Sequence, residues 1–546
     1  MSSRYGMLIG IVALSLPGLG CNGDDAAGAS DDPTAPTGST DTSEPPPTGQ
    51  VGEIVRSIVE IPFGLQSTCE HDGAMRVISQ RNSSIVPERM YSAGCVDPDG
   101  IRHLFVSVPV DSGHVRTHPV DALNGDSQVI FETTMDPATG SFSLTGNEVH
   151  NTDCLDAHGI VVSSDCSTVA TLCRRPHFTS ETEPFTKDLV VGFSGADDID
   201  QPGPIGGEPS EAHVDYNDEM WLYEWTDNLP LSEPPDKYVV HKGIGPLTRA
   251  RGLGNYYLVN GENDDSYGYG VRSSTGGGSR HVADAFLVID RSSEYEIAEG
   301  RGYTWACGRG HTDFNRPTYN PATQQYAIWC NTDYNAAQEP GYRGLWFRTE
   351  SMGDSDDNQF HVAAGGERRN GAVQVLRPLP NGDFLGVLIG SPELSEDWEF
   401  NDPTRVGLAH FDGTIGRLAD PIDWIVSSDE RYLGHAQLSI LDEDRYLLGY
   451  ADLYELGSAD EPFRGAPEFM IPSEYHVVEI DGEGHPLTET MSLGTAGWGD
   501  QDTWTSLGSG EIAWAYVPYA TLGEDGGQPG CSGTTLELSV YLPHQE

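Results

Sequence analysis

The stretch "NPATQQYAIWC", residues 320–330, holds the pattern that decides the fold: a tight turn followed at once by a short apolar strand. Asn-Pro marks the turn, and the aromatic and aliphatic residues after it favour a strand. The same order of turn and strand recurs six more times. Markers of the seven predicted strands are Leu104, Val169, Tyr256, Tyr326, Phe384, Tyr446 and Ile512. They lie 58 to 87 residues apart, which predicts a repeat of about 70 residues.

This repeat predicts an all-β fold closed into a ring. Four-stranded units arranged around an axis form a β-propeller, in which closure of the ring protects the edges of the sheets. The last predicted strand, residues 535–542, alternates apolar and polar residues and is expected to pair with the first, residues 53–60. We therefore predict one seven-bladed β-propeller over residues 51–546. Six or eight blades are near alternatives, and two packed β-sandwich domains are the alternative architecture.

A family resemblance supports this architecture. The segment "HGIVVSSDCSTVATLC", residues 158–173, resembles the strand–turn–strand signature of propellers of the YVTN, NHL and Asp-box types. In those families a serine and an aspartate precede a glycine turn, whereas Cys166 and Ser167 stand at that place here. The whole chain is also similar to the propeller lipoproteins of myxobacteria. This resemblance implies an architecture and no common chemistry.

The N-terminus predicts export and a lipid anchor. Arg4 precedes the short apolar run of residues 7–16, and residues 17–21, Pro-Gly-Leu-Gly-Cys, resemble the lipobox of bacterial lipoproteins. Residues 1–21 are therefore predicted to be a lipoprotein signal peptide that ends at the acylated Cys21. The alternative is ordinary signal cleavage after Gly20, which leaves a free thiol. Lipidation of Cys21 leaves eight of the nine cysteines, an even number that suits disulfides in an exported protein.

Composition predicts a disordered tether after the anchor and excludes one class of partner. Residues 22–50 are rich in Asp, Thr, Ser, Pro and Gly, which predicts a disordered acidic tether. The predicted location is the cell envelope, at the outer membrane or cell surface. A formal net charge of −54 excludes nucleic acid as a partner. No cofactor is predicted; Ca²⁺ suits so acidic a surface, but no calcium-binding loop motif is present. The oligomeric state stays open.

The cysteines around residues 307–330 admit two interpretations. Cys307, His311, Asp313 and Cys330 have the residue types of a tetrahedral metal site. The oxidising compartment and the strand-like flanks favour a Cys307–Cys330 disulfide instead. We predict the disulfide and no metal site.

Alignment of the repeats by their turns predicts a ligand-binding face. Polar residues recur at one place ahead of several turns, on strands that begin near the central channel of a propeller. The predicted ligand-binding residues are His158, His311, Arg316, His435 and Asp502. The alternative is that these side chains hydrogen-bond across blades and satisfy buried backbone groups.

Two functions of different class fit these predictions. The first is a membrane-anchored binding or scaffold module for a glycan, a peptide or another envelope protein. The second is a polysaccharide-degrading lyase or glycosidase on a propeller scaffold. In a lyase, His311 or His158 is the expected base and Arg316 is expected to neutralise the uronate carboxylate. Signatures of α/β-hydrolases, zincins and nucleotide-binding enzymes are absent from the sequence, and we favour binding.

Overall fold

The structure of the protein is a computed structural model. The residues that it describes are 52–60, 91–110, 127–151, 156–175, 219–226, 239–242, 257–261, 266–274, 282–291, 296–303, 312–332, 343–349, 359–362, 373–390, 404–414, 417–419, 422–455, 473–494, 497–498, 504–516 and 535–544. The predicted signal peptide and tether lie outside these ranges. Within them, no helix has the length and apolar character needed to span a membrane.

The described strands form seven antiparallel sheets, six with four strands and one with five. We name each sheet after its first strand. The strands of the first four sheets are β2 (Tyr91–Val96), β3 (Arg102–Val110), β4 (Ser127–Met135) and β5 (Phe142–Asn151); β6 (Asp156–Val162), β7 (Thr168–Arg175), β8 (Glu219–Thr226) and β9 (Val239–Lys242); β10 (Tyr257–Asn260), β11 (Ser266–Ser274), β12 (Val282–Asp290) and β13 (Glu296–Tyr303); and β14 (Thr312–Asn320), β15 (Gln325–Thr332), β16 (Arg343–Thr349) and β17 (Gln359–Val362).

The other three sheets include the one that joins the two ends of the chain. Their strands are β18 (Val373–Pro378), β19 (Phe384–Gly390), β20 (Arg405–Asp412), β21 (Arg417–Leu418) and β22 (Asp423–Ser427); β23 (Arg431–Ile440), β24 (Arg445–Glu455), β25 (Glu474–Asp481) and β26 (Met491–Gly494); and β27 (Thr505–Ser506), β28 (Ile512–Tyr516), β29 (Thr535–Leu542) and β1 (Glu53–Glu60).

The first strands of these sheets form a ring. Contacts join β2 to β6, β6 to β10, β10 to β14, β14 to β18, β18 to β23 and β23 to β27, and β27 returns to β2. We call these the inner strands. Sheets whose inner strands surround an axis in chain order make a β-propeller, so the prediction of an all-β propeller is confirmed.

The ring closes through the predicted pairing of the chain ends. β1 pairs antiparallel with β29 over its whole length, from Glu53 opposite Leu542 to Glu60 opposite Thr535. The N-terminal strand thus supplies the outer strand of the β27 sheet. This pairing confirms the expectation for residues 53–60 and 535–542, and it couples two ends that are almost 500 residues apart in sequence.

A buried polar network accompanies this closure. Glu479 on β25 is 3% exposed and accepts a short hydrogen bond from the Tyr541 hydroxyl on β29. The Gly52 N–H donates to the same hydroxyl oxygen at 2.9 Å. The Arg445 guanidinium lies 3.5 Å from the second oxygen of Glu479. The network therefore connects Gly52, which directly precedes β1, and strand β29 to the neighbouring β23 sheet.

Hydrophobic cores lie between facing sheets. One cluster joins the β27 sheet to the β2 sheet, with Leu538 and Leu104 both fully buried. On its other side the β27 sheet packs on the β23 sheet through an aromatic group that includes Trp498, Trp504 and Trp514. Clusters of the same kind join the β14 sheet to the β18 sheet and the β18 sheet to the β23 sheet. The β18, β23 and β27 sheets thus bury both faces, which explains why their strands are apolar on both sides.

One of the seven strand markers was misplaced. Six of them fall on the second strand of a sheet, but Tyr256 directly precedes β10, which is an inner strand. The second strand of that sheet is β11, after the turn in which the Gly261 N–H donates to the Ser266 carbonyl at 2.8 Å. The error arose because an inner strand and a second strand are both short apolar runs that follow glycine, and local pattern does not distinguish them.

The turn at residues 163–168 accounts for the departure from the family signature. Asp165 accepts hydrogen bonds from the Ser163 hydroxyl at 2.7 Å and from the Ser167 N–H at 3.0 Å. These bonds, the first of them above all, lower the pKa of Asp165 to about 2. Cys166 has φ of 63°, a left-handed conformation that glycine adopts most easily. Cys166 therefore occupies the glycine conformation and also reaches Cys95 on β2, with which it forms a disulfide.

Candidate functional site

The predicted ligand-binding residues that the structure describes lie on inner strands. Arg316 is on β14 and His435 is on β23. His158 is on β6, where the structure describes its backbone but not its side chain. His311 and Asp502 lie outside the described residues.

Inner strands carry a β-bulge close to these positions. The register with the second strand shifts between Ala157 and Ile160 on β6, and between Gly434 and Gln437 on β23. His158 and His435 each lie within such a shift. A bulge removes backbone groups from the sheet ladder, so those groups need other partners.

Side chains supply several of these partners. On β6, the Gly159 carbonyl accepts from the Thr171 hydroxyl at 2.7 Å. On β18, a register shift places Gln374 in a bulge, and its carbonyl accepts a short bond from Arg316 Nε. Arg316 is only 3% exposed. The Gln374 side chain in turn accepts from the Ala436 N–H at 3.1 Å. Gln374 therefore joins Arg316 on one side to the His435 segment on the other.

His435 is held among aromatic side chains. It is 3% exposed and has φ of 50°, as expected at a bulge. Its carbonyl accepts from Trp498 Nε1 at 2.6 Å, and its Nδ1 lies 3.5 Å from the Tyr475 hydroxyl, which donates to the Trp498 carbonyl at 2.8 Å. The bond from Arg316 to Gln374 is thus of the cross-sheet kind that the alternative interpretation expected, whereas His435 contacts Tyr475 of its own sheet and Trp498 in the connection to the β27 sheet. Ligand binding by these residues stays a prediction.

Sequence reasoning did not single out Arg377, a buried cation on the next inner strand after that of Arg316. Arg377 on β18 donates through Nε to the Leu438 carbonyl at 2.7 Å and through Nη2 to the Trp504 carbonyl at 3.0 Å. Burial lowers the pKa of Arg377 to about 10, still far above neutral, so the guanidinium stays charged. One side chain therefore links the inner strands β18 and β23 to Trp504, the residue directly before inner strand β27. The available signal in the sequence was an arginine ahead of the predicted turn that precedes Phe384. That signal does not identify the hydrogen-bond partners of Arg377, which are 61 and 127 residues away.

The disulfide that the structure describes is not the one predicted. Cys95 and Cys166 are bonded across the β2 and β6 sheets and are 71 residues apart in sequence. Of the predicted pair, Cys307 and the side chain of Cys330 lie outside the described residues, so that pairing stays a prediction. No local pattern pointed to the Cys95–Cys166 bond, because it depends on which sheets are neighbours.

His103 on β3 lies between two carboxylates. Its Nδ1 is 2.9 Å from Glu132 Oε1 and its Nε2 is 3.2 Å from Asp97 Oδ2. The hydrogen bond to Glu132, followed by the one to Asp97, raises the pKa of His103 above its ordinary value. The imidazolium form is thus stabilised in the folded chain.

A pH dependence of stability follows from His103. Because its pKa is raised on folding, its stabilisation is full below the unfolded pKa of about 6.5 and is lost as pH rises through the folded pKa. Replacing His103 with glutamine should therefore cost ~1 kcal/mol or less at pH 5.5 and still less at pH 9. Urea unfolding at the two pH values measures this difference. An equal loss at both values would contradict the assignment.

Three side chains of the β23 sheet have the composition of a metal site. Asp452 on β24 and Glu474 and His476 on β25 are partly buried, and their ligand atoms lie within 4.8 Å of one another. Sequence reasoning assigned no metal ligand. The signal was the alternation Tyr450-x-Asp452 and Glu474-x-His476 on two strands, which is informative only once the register between those strands is known.

Comparisons with known proteins found solved structures of low similarity to this chain. No protein-family model matches the chain, and no curated protein matches it. A protein of unknown function from Dyadobacter fermentans is 12% identical, with a TM-score of 0.34, and the match covers 68% of this chain and 92% of that one. The β-propeller domain of the Trilobed protease from Pyrococcus furiosus is 9% identical, with a TM-score of 0.35 and coverage of 78% and 91%. The Dos1 propeller is 9% identical, with a TM-score of 0.37 and coverage of 84% and 95%. At such low identities and TM-scores these likenesses carry no functional argument.

Proposed function

We propose that this chain is a lipid-anchored, extracytoplasmic β-propeller that acts as a binding or scaffold module in the cell envelope. The seven sheets, each with an inner strand in the ring, support a count of seven blades. The lipobox-like segment that ends at Cys21 and the acidic tether of residues 22–50 support the anchor. A glycan, a peptide or another envelope protein is the proposed ligand.

The observation that carries this proposal is a contrast between the two faces of the ring. Seven connections join first to second strands, and each is four or five residues long: 97–101, 163–167, 261–265, 321–324, 379–383, 441–444 and 507–511. The connections from second to third strands run from 7 to 43 residues: 111–126, 176–218, 275–281, 333–342, 391–404, 456–473 and 517–534. Because the strands are antiparallel, the strand ends that the short connections join lie on one face, which they share with strand ends joined by third-to-fourth connections of 4 to 12 residues, and the strand ends that the long connections join lie on the other face. We call these the short-turn face and the long-connection face.

This contrast favours binding on the long-connection face. The seven short turns between first and second strands suit a rigid scaffold. Ligand contacts in such scaffolds come from the face with variable connections. The inner-strand polar groups described above serve cross-sheet bonds, which also suits a rigid frame. The net charge of −54 favours neutral or cationic ligands, because a long polyanion would be repelled on approach.

Two matched variants test which face binds. Asp429 and Glu430 are exposed at the connection from β22 to β23, on the long-connection face. Glu443 and Asp444 are exposed in the turn between β23 and β24, on the short-turn face. Reversing either pair to lysine changes the net charge by the same amount. The whole chain, purified in detergent, is screened on glycan and peptide arrays, and the variants are then compared on the ligand found.

We expect D429K/E430K to change affinity by about tenfold, and E443K/D444K to bind like the unmodified chain. Equal effects of the two variants would contradict binding on the long-connection face. An assay for unsaturated uronate products runs in parallel. Turnover of a retained glycan would replace the binding function with the enzymatic alternative, whereas retention without turnover supports the proposal.

A further inference from the structure

Four side chains form an ordered array on one face of the β23 sheet. In the pairing of β24 with β25, Tyr450 lies opposite His476 and Asp452 lies opposite Glu474. Residues two apart on a strand share a face, so all four side chains lie on the same side of the sheet. Ser492 on β26 is opposite His476 and extends the array by one strand.

The array is electrostatically unusual. Asp452 and Glu474 are directly opposite each other, and like charges in that position destabilise a sheet unless a cation lies between them. His476 Nε2 lies 3.3 Å from Asp452 Oδ2 and faces both carboxylates. A nitrogen and two carboxylate oxygens thus converge on one point, and they are common ligands of transition-metal ions.

The distances suit a small ion. Two ligands bound at 2.0–2.1 Å to a tetrahedral ion are roughly 3.3–3.5 Å apart. The separation of 3.3 Å between His476 Nε2 and Asp452 Oδ2 already has this value. The remaining separations are within 4.8 Å, so side-chain shifts of about 1 Å complete the set.

Surrounding residues hold two of the three ligand side chains and the backbone of the third in place. The His476 ring stacks on Tyr450 with centroids 5.0 Å apart, and the Ser492 hydroxyl donates a short bond to Glu474. Ser473 donates to the Asp452 carbonyl at 3.1 Å and accepts from Arg431 Nη1 at 2.9 Å. Bonds of this kind around the ligands orient them and raise metal affinity.

From this geometry we propose that Asp452, Glu474 and His476 form a binding site for a divalent transition-metal ion of the Zn²⁺ type. Three protein ligands leave at least one coordination position open to water or to a ligand group. The three residues lie where β24 ends and β25 begins, which is the long-connection face. All three are partly exposed, so an ion reaches them from solvent.

Zn²⁺ is the probe, and Ca²⁺ and Mg²⁺ are the comparison ions. The whole chain is purified in detergent, stripped with EDTA and titrated calorimetrically with Zn²⁺, Ca²⁺ and Mg²⁺, with thermal unfolding as an independent readout. The test variants are His476→Gln and Glu474→Gln, which keep side-chain size and remove a ligand. The matched control is His485→Gln, because His485 also lies beside two carboxylates of this sheet, 3.2 Å from Asp481 and 3.6 Å from Glu483, but is 69% exposed in a turn.

We expect Zn²⁺ to raise the melting temperature of the unmodified chain and of His485→Gln. His476→Gln and Glu474→Gln should each weaken Zn²⁺ binding by ~10–100-fold and abolish that rise. The proposal is overturned if His476→Gln binds Zn²⁺ as His485→Gln does, or if Ca²⁺ binds and Zn²⁺ does not. Circular dichroism confirms that each variant is folded, and Glu474→Gln decides the question should His476→Gln unfold.

Discussion

Replacing Tyr541 with phenylalanine is expected to lower the free energy of unfolding by about 2–4 kcal/mol. The aromatic ring stays in its core cluster, so the change removes one hydroxyl group and little packing. That hydroxyl donates to the buried carboxylate of Glu479 and accepts from the Gly52 N–H. Its loss leaves a buried charge and a backbone donor without this partner. Urea unfolding monitored by tryptophan fluorescence measures the effect.

The expected loss of stability is large because Glu479 and Tyr541 are both buried. Glu479 is 3% exposed, and Arg445, its cationic neighbour among the described residues, is 3.5 Å away. Burial, followed by the bond to Glu479, raises the pKa of Tyr541 well above its ordinary value, so the hydroxyl keeps its proton across the physiological range. A neutral donor to a buried carboxylate is among the stronger hydrogen bonds in proteins.

Tyr446→Phe is the matched control. Tyr446 is also buried, and no hydrogen bond to its hydroxyl is observed among the described residues. Its replacement should cost about 0.5 kcal/mol or less. Comparable losses in the two variants would contradict a specific role of the Tyr541 hydroxyl in ring closure.

Removal of the Cys95–Cys166 disulfide should have an effect of similar size. The bond joins two neighbouring sheets across 71 residues of sequence, and loops of that length are associated with about 4 kcal/mol of stabilisation. The variant is Cys95→Ser with Cys166→Gly, since glycine adopts φ near 63° without strain. Urea unfolding of the variant and of the unmodified chain, both without reductant, gives the difference.

The single variants provide the control. Either substitution alone prevents the bond. The double variant should therefore be at least as stable as the less stable of the two single variants. If the free energy of unfolding lost in the double variant equals the sum of the losses in the two single variants, each thiol contributes separately through packing. That result would contradict stabilisation by a cross-link. Substitution also avoids reductant, which would reduce any other disulfide of the chain as well.

Local sequence patterns predicted much of the fold. Turn residues such as Asp165 and Gly382 need particular backbone conformations or accept bonds from their immediate neighbours, and six of the seven markers named the correct strand. The pairing of residues 53–60 with 535–542 was also expected, because a ring of sheets needs a partner for each edge. The exception, Tyr256, shows the limit: a short apolar run after glycine has no feature that states its place in a sheet.

The candidate sites depended far more on the tertiary structure. The sequence by itself determined the all-β class, the closure of the ring and the strands on which Arg316 and His435 lie, because periodicity and turn chemistry are encoded within a few neighbouring residues. Only the tertiary structure decided that Cys95 pairs with Cys166, that Gln374 lies between Arg316 and the His435 segment, and that Asp452 faces Glu474 and His476. Those contacts depend on which sheets are neighbours and on the register between strands, and neither is written in the spacing of residues along the chain.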